Sequence, residues 1–404
     1  MGPWRYSVIE ETNRLPPHMP KLKIVRVVTA SYVVPWHLAN TLRRMPDDFE
    51  VTVVGQGVSA NKDTYPNVHW MDIDLNRKIS VIADLYSLWA LCRFFRAYKP
   101  DIVHSIMPKA GLLSALAGFI CRVPIRLHTF TGQTWINKNP AARFFLYALD
   151  RTVSTLNTEC LTDSPSQSNF LHQHHISKDG KSLPVLGKGS LSGVDISRFD
   201  CLSQEVRREQ LRVDLGIRKH DFVFAFVARK SHDKGAIDLL RAFSKVVNSH
   251  LGARLLFVGP DESKGELQTL KTTSPTLFKN VNDVGQVENH ELYLAISNVL
   301  CLPSYREGFG SIVIDAAAAG VPTIGSNIIG LVDSIEDGKT GILIPAGDID
   351  GLAKAMLSMI KDPKHCKALG VAARRRVEAH FTADQMYASL KTFYLALLVA
   401  HGRT

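Results

Sequence analysis

A chain of 404 residues, 45% hydrophobic and 21% charged, is too long for one ordinary core and too apolar for wholesale disorder, so two globular domains are expected. Its six cysteines lie far apart with no paired spacing, which argues against a zinc site or a disulfide framework and suits a reducing cytoplasm. The formal net charge of +10 asks for an anionic partner: nucleic acid, phospholipid or a phosphorylated substrate. Its distribution is local, since residues 77–151 hold eleven Lys and Arg against three acids, Asp84, Asp101 and Asp150.

From the start of the chain, Met1–Pro20 carries acids and prolines without an apolar core, unlike a secretory signal. Lys23–Ala30, Phe49–Gly55, Val68–Leu75, Asp101–Ile106, Ile125–Phe130 and Glu159–Asp163 read as strands. Between them, Leu85, Leu88, Trp89, Cys92 and Phe95 follow helical spacing, with Arg93 and Arg96 largely off that stripe. The longest apolar stretch, Ala110–Cys121, contains Gly and Ser and falls far short of the roughly 20 residues a spanning helix needs. Alternating strands and helices predict a parallel sheet, hence a first Rossmann-like domain over residues 20–186. Leu183 to about His220 shows no sustained periodicity and reads as an interdomain connection. The pattern resumes at Phe222–Ala228, Ala253–Gly259, Val281–Val287, Val299–Pro303, Pro322–Gly325 and Gly341–Ile344, predicting a second such domain over residues 203–380. The two are expected to face each other across a cleft, with a final helix, residues 381–404, crossing back to the first.

Neither domain holds a GxGxxG turn or a GxxxxGK[ST] loop, which removes the main support for nicotinamide and P-loop chemistry. Instead, Ser304-Tyr-Arg-Glu-Gly-Phe-Gly-Ser-Ile-Val-Ile-Asp315 reads as a strand end, a glycine turn and a helix start. Such a turn exposes N–H groups and the positive end of a helix dipole, which suits a diphosphate. Glu307 precedes the helix and Asp315 lies just over one turn inside it. Eight residues of helix would span about 12 Å, so two carboxylates can serve the two ends of one nucleotide sugar. Ala228-Arg229-Lys230-Ser-His-Asp-Lys234-Gly235 follows the strand at Phe222, so its cations can neutralise a diphosphate leaving group.

Arg229, Lys234-Gly235, Pro303-Ser304, Glu307-Gly308-Phe309-Gly310, Asp315, Gly320-Val-Pro322 and Gly338-Lys-Thr-Gly341 with Asp348 stand in the order seen in retaining GT-B glycosyltransferases. The chain resembles the group that builds bacterial capsules, O-antigens and lipid-linked oligosaccharides. Over the first half, Asp101-Ile-Val-His104-Ser-Ile-Met-Pro108-Lys109-Ala-Gly111 and Thr131-Gly132 resemble its lipid-linked-sugar branch. The resemblance implies that Arg229 and Lys234 bind the diphosphate with N–H groups of Phe309 and Gly310. It also implies that Glu307 and Gly308 meet the donor sugar, Asp315 the ribose, and the segment ending at Val287 the base. Glu307, Arg229 and Lys234 are the expected catalytic set, and His104, Lys109, His128 and Thr131 the acceptor side. The leaving phosphate takes the acceptor proton in that group, so configuration is retained without a protein base.

Three departures stand out. Asp315 occupies the place of a second glutamate, shortening the reach by about 1.5 Å. Ala228 replaces a glycine. Ser31-Tyr-Val-Val-Pro-Trp36 replaces a Gly-Gly turn, and Thr131 stands where relatives carry histidine.

The expected function is transfer of a hexose or N-acetylhexosamine from a nucleotide-diphosphate sugar, a uridine one by preference, to a polyprenyl-diphosphate-linked glycan. Neither metal nor other cofactor is expected, since no acidic cluster stands out. The basic stretch is expected to make peripheral contact with anionic membrane on its cytoplasmic face. It carries no nucleic-acid fold signature. Two alternatives share the fold: a nucleotide-sugar epimerase or hydrolase, and a degenerate binding subunit.

Overall fold

The computed structural model describes residues 21–75, 80–136, 138–200 and 203–402. It divides into two compact units, one formed by residues up to Gly193 together with Ala383 onward, the other by Val194–Thr382.

The first unit is built on six parallel strands: β1 (Lys23–Ala30), β2 (Glu50–Gln56), β3 (His69–Asp72), β4 (Ile102–Ile106), β5 (Ile125–Phe130) and β6 (Glu159–Thr162). Their order is β3-β2-β1-β4-β5-β6, with β1 pairing in parallel with both β2 and β4 and shifting register against β2 between Val27 and Ala30. The β-branched runs of β1 and β2 are buried along nearly their whole length, as a sheet covered on both faces requires. Helices Val81–Tyr98, Pro108–Ile120 and Pro140–Leu156 make the crossovers to β4, β5 and β6. The last helix, Ala383–Ala400, packs Leu390, Tyr394, Leu397 and Leu398 with Ile24, Phe49 and Val51 in this unit's core.

The second unit repeats the plan with β7 (Phe222–Val227), β8 (Ala253–Val258), β9 (Val281–Val284), β10 (Val299–Leu302), β11 (Thr323–Ser326) and β12 (Gly341–Ile344). Read from β9 outward, the order β9-β8-β7-β10-β11-β12 is the same topology as in the first unit. Phe224, Phe226, Phe243 and Phe257 fill one side of this sheet with Met356 from the Ile349–Lys361 helix, while Val223, Ala225, Leu256 and Leu300 fill the other. The chain reverses its winding direction between β7 and β10, so the carboxyl ends of those two strands open a crevice suited to a ligand.

Two sequence expectations are corrected here. Within the stretch read as an unstructured connection, Ser203–Asp214 is a helix. Its charged sequence leaves no apolar stripe for a periodicity argument to find. The apolar residues of Val81–Tyr98 do not share one inward face. Leu91, Cys92 and Phe95 are buried, whereas Leu85 and Trp89 are exposed. The Met1–Pro20 reading, Arg77, Lys78 and Cys201 lie outside the described residues.

Candidate functional site in the second unit

At the end of β7 the chain turns through Ala228-Arg229-Lys230 and a short 3₁₀ turn, His232–Lys234, into the helix Ala236–Ser249. Gly235 holds φ +67°, and a Cβ there would lie 2.0 Å from the carbonyl oxygen of Pro303. Only glycine fits, and this close approach presses the loop after β7 against the end of β10. Tyr305 N–H donates to the Asp233 carbonyl at 2.9 Å, the Tyr305 hydroxyl donates to Asp238 at 2.6 Å, and His232 stacks on the Tyr305 ring. The laced loops bring Lys234 Nζ to 2.6 Å from Glu307 Oε1, which also accepts from Ser304 Oγ at 2.9 Å. Both partners of the Lys234–Glu307 pair are largely buried, where an ion pair fixes geometry better than on a surface.

Arg229 forms an ion pair with Glu262 from the segment after β8. Lys230, the residue between Arg229 and the 3₁₀ turn, is buried and donates to the Val284 carbonyl at 2.7 Å while pairing with Asp283. Lys230 had no assigned role in the sequence reading. Its one visible signal is position, since it points opposite to Arg229 at the end of a strand. It ties β9 to the loop after β7, directly before Gly285–Val287.

The turn Glu307–Gly310 precedes the helix Ser311–Ala318. Gly310 sits at its N-cap with φ +77°, and brings no side chain to cap it. Phe309 is buried against Phe381, and a Cβ on Gly330 would come within 2.3 Å of the Gly308 carbonyl. The turn is therefore held from below, and the helix start that follows it presents unpaired N–H groups of the kind that suit an anion. The helix begins at Ser311, as the sequence places it, so Glu307 stands in the turn before it. Asp315 is the fifth helical residue.

Asp315 Oδ2 lies 3.0 Å from His290 Nε2, at the start of the His290–Ala295 helix. Burial pushes the His290 pKa down, but the hydrogen bond and charge of Asp315, with the charge of Glu291, outweigh it and leave the value raised. Glu291 is held in turn by Arg198 at 2.8 Å. Val287 packs on the core beside Tyr293, between the Asp283–Lys230 tie and His290. Thus Arg229, Lys234, Glu307 and the Gly308–Gly310 turn gather at the ends of β7 and β10. Asp315 and Val287 lie on the β9 side with His290.

The four acceptor-side residues of the first unit divide differently. His104 is 3% exposed, with Nδ1 at 2.6 Å from the Tyr394 hydroxyl and Nε2 at 2.7 Å from Thr129 Oγ1. His128 is buried, 2.9 Å from Ser105 Oγ, with Gly111 so close that a Cβ there would strike the ring at 2.4 Å. Burial, then the charge of Arg26, holds the His104 pKa well below its ordinary value, and burial takes His128 down to about 3. Both rings are buried inside the unit, His104 bonded through both nitrogens and His128 through Nδ1. Lys109 pairs with Asp84 at 2.6 Å, and Thr131 is half-buried just after β5, its carbonyl accepting from Gln133 at 3.2 Å.

Two family models match the chain, one in each half. The profile of the glycosyl transferases group 1 family matches residues 207–376, and that of the glycosyl transferase 4-like domain matches residues 31–179. The capsular polysaccharide biosynthesis glycosyltransferase CapM of Staphylococcus aureus is 28% identical over 380 residues, spanning 94% of this chain and 98% of that one. The UDP-Gal:alpha-D-GlcNAc-diphosphoundecaprenol alpha-1,3-galactosyltransferase of Escherichia coli is 25% identical, spanning 80% of this chain and 83% of its own. Among solved structures, Anabaena HepE in complex with UDP superposes with a TM-score of 0.75 at 16% identity, covering 93% of this chain and 100% of HepE.

Proposed function

The chain belongs to the GT-B glycosyltransferases, in the group that acts in capsule and lipid-linked oligosaccharide synthesis, and we propose that it is a retaining hexosyl- or N-acetylhexosaminyltransferase using a UDP-sugar. The observation that carries this reading is the Lys234–Glu307 pair at 2.6 Å, set beside Arg229 and the Gly308–Gly310 turn at the β7–β10 crevice. Arg229, Lys234 and the helix start meet the diphosphate, and Glu307 accepts from donor-sugar hydroxyls while Lys234 holds it in place. Asp315 with His290 takes the ribose, and the main chain near Val287 takes the base. In the reaction, the bond from the anomeric carbon to the diphosphate oxygen breaks and a bond to the acceptor oxygen forms on the same face. The acceptor proton passes to the departing phosphate oxygen, so UDP leaves and no protein base is consumed.

The acceptor in this reading is a polyprenyl-diphosphate-linked glycan. The Escherichia coli relative, whose name specifies a diphosphoundecaprenol acceptor, supports that choice. The chain works from the cytoplasmic membrane face, without a resident cofactor. No described helix is long and apolar enough to cross a membrane.

The test is incubation with a panel of nucleotide sugars and a short-chain polyprenyl-diphosphate acceptor, with products read by mass spectrometry and anomeric configuration by NMR. An α-linked product from an α-linked UDP-sugar is expected. A β-linked product overturns retention, and transfer from a guanosine donor alone overturns the choice of base. Free sugar or an epimerised nucleotide sugar would instead identify a hydrolase or epimerase.

A further inference from the structure

The outer face of the Val81–Tyr98 helix is apolar where solvent should favour polar side chains. Val81, Ile82, Leu85, Tyr86 and Trp89 are all exposed, Ile82 at 84% and Trp89 at 54%. At 100° per residue these five fall within one arc of about 140°, and Arg93 and Arg96 continue the same arc toward the C-terminal end. The face is therefore apolar and aromatic over its first turns and cationic over its last. Tyr86 and Trp89 touch each other, and the Arg93 guanidinium lies over the Trp89 ring at 5.6 Å.

A second helix also exposes aromatic side chains at its start. Pro140–Leu156 exposes Phe144 at 75% and Phe145 at 53%, beside exposed Arg143. The two apolar starts lie along one rim. Val81–Tyr98 follows β3, and Pro140–Leu156 follows β5, so both begin at the carboxyl ends of the strands. The right-handed crossovers β3 to β4, β4 to β5 and β5 to β6 all step in one direction along the sheet, which puts their helices on one face. The Asp84–Lys109 ion pair at 2.6 Å shows the first two of those helices level at their N-terminal turns.

We infer that this rim, the first turns of Val81–Tyr98 and Pro140–Leu156, is a membrane-docking face that inserts its aromatic and aliphatic side chains into the headgroup region of an anionic bilayer. Aromatic rings at the headgroup level, aliphatic side chains below them and arginines alongside are the composition an interfacial helix needs. The cations select the occupant. Arg93, Arg96 and Arg143 complement anionic headgroups, whereas a face meeting a second copy of itself would set these like charges against one another. The inference rests on the lipid-linked acceptor reading for its purpose, because it brings the acceptor-side rim of the first sheet to the surface where such an acceptor is embedded.

The test uses the full chain in flotation with phosphatidylcholine vesicles containing graded phosphatidylglycerol. Wild type is expected to bind increasingly as anionic lipid rises, and to keep a salt-resistant fraction from apolar insertion. Ile82→Ser/Leu85→Ser/Trp89→Ser is expected to weaken vesicle binding at least about tenfold, with UDP affinity unchanged because these side chains touch no core. Phe144→Ser/Phe145→Ser should weaken it less, and Arg93→Glu/Arg96→Glu should remove the dependence on phosphatidylglycerol. Wild-type flotation by the triple variant overturns the proposal. So does a dimer in size exclusion that the triple variant converts to monomer while vesicle binding stays constant. If the chain floats through this face yet transfers sugar only to soluble acceptors, the acceptor reading fails and the docking face stands.

Discussion

Each cation proposed to meet the diphosphate is already held by a carboxylate: Arg229 by Glu262, Lys234 by Glu307. The two pairs are not equivalent. Glu262 is the more exposed acid and competes with a diphosphate for Arg229, whereas Glu307 also accepts from Ser304 and is itself assigned to the sugar. Arg229→Ala and Lys234→Ala should each lower turnover efficiency ten- to a hundredfold, as loss of a charged hydrogen bond of about 1.5–3 kcal/mol implies. Glu262→Gln should act in the opposite sense, tightening UDP binding by roughly two- to tenfold, about 0.4–1.4 kcal/mol. Calorimetry that finds UDP affinity unchanged in Glu262→Gln would show that Arg229 does not exchange partners on binding. The carboxylates divide in the same assay. Glu307→Ala should lose transfer activity while keeping most of its UDP affinity, and Asp315→Ala should lose UDP affinity itself, about tenfold or more, since His290 and ribose share that carboxylate. Equal losses of nucleotide affinity in the two would refute this division.

The strands were legible because burial on both faces leaves continuous β-branched runs, and β1, β5 and β12 begin and end where the sequence places them. Helix faces were less legible. Periodicity locates an apolar stripe but not its direction, so Leu85 and Trp89 read like Cys92 and Phe95 although only the latter pair is buried. The surroundings of His104 and His128 were illegible for a related reason: their neighbours are distant in the sequence. The Gly111 contact and the Tyr394 hydroxyl come from elements 17 and 290 residues away. The helix Pro140–Leu156 hides a further case, Asp150, whose carboxylate accepts from the Trp135 indole at 2.8 Å and pins the loop after β5. Burial raises its pKa from 3.8 to about 7, against the lowering effect of that hydrogen bond. The fold therefore favours the protonated acid, so this group's contribution is complete below about pH 4 and is lost as pH rises toward 7, on the order of 1.4 kcal/mol per unit. Asp150→Asn keeps the acceptor without the charge, and should melt higher than wild type at pH 8 with a smaller difference at pH 5. Equal shifts at the two pH values would mean that Asp150 ionises as an ordinary carboxylate.

At the scale of the molecule, one sheet topology is used twice, and the proposed donor chemistry falls in one copy of it. In the second unit the crevice between β7 and β10 receives Arg229 and Lys234 from one strand end and the Glu307–Gly310 turn from the other. In the first, the matching positions after β1 and β4 carry Ser31 and the Pro108–Lys109 helix start, with Lys109 bound to Asp84. The second unit thus brings two cations and an uncapped helix start to these strand ends, where the diphosphate is proposed to bind, and the first does not. This donor set bears on metal dependence. A divalent ion bridging a diphosphate is normally held by one or two carboxylates. Among the described residues no group of three or more His, Cys, Asp and Glu side chains is arranged to hold one, and Glu307 is tied to Lys234. In the proposed mechanism the charge on the leaving diphosphate is met by Arg229, Lys234 and the dipole of the Ser311–Ala318 helix. Turnover in excess chelator should accordingly stay within about twofold of its value in magnesium, whereas Arg229→Ala in magnesium should still show its full loss. The comparison needs both arms. If chelation abolishes transfer and magnesium restores it, the ion and not these side chains neutralises the leaving group, and the roles given to Arg229 and Lys234 reduce to binding.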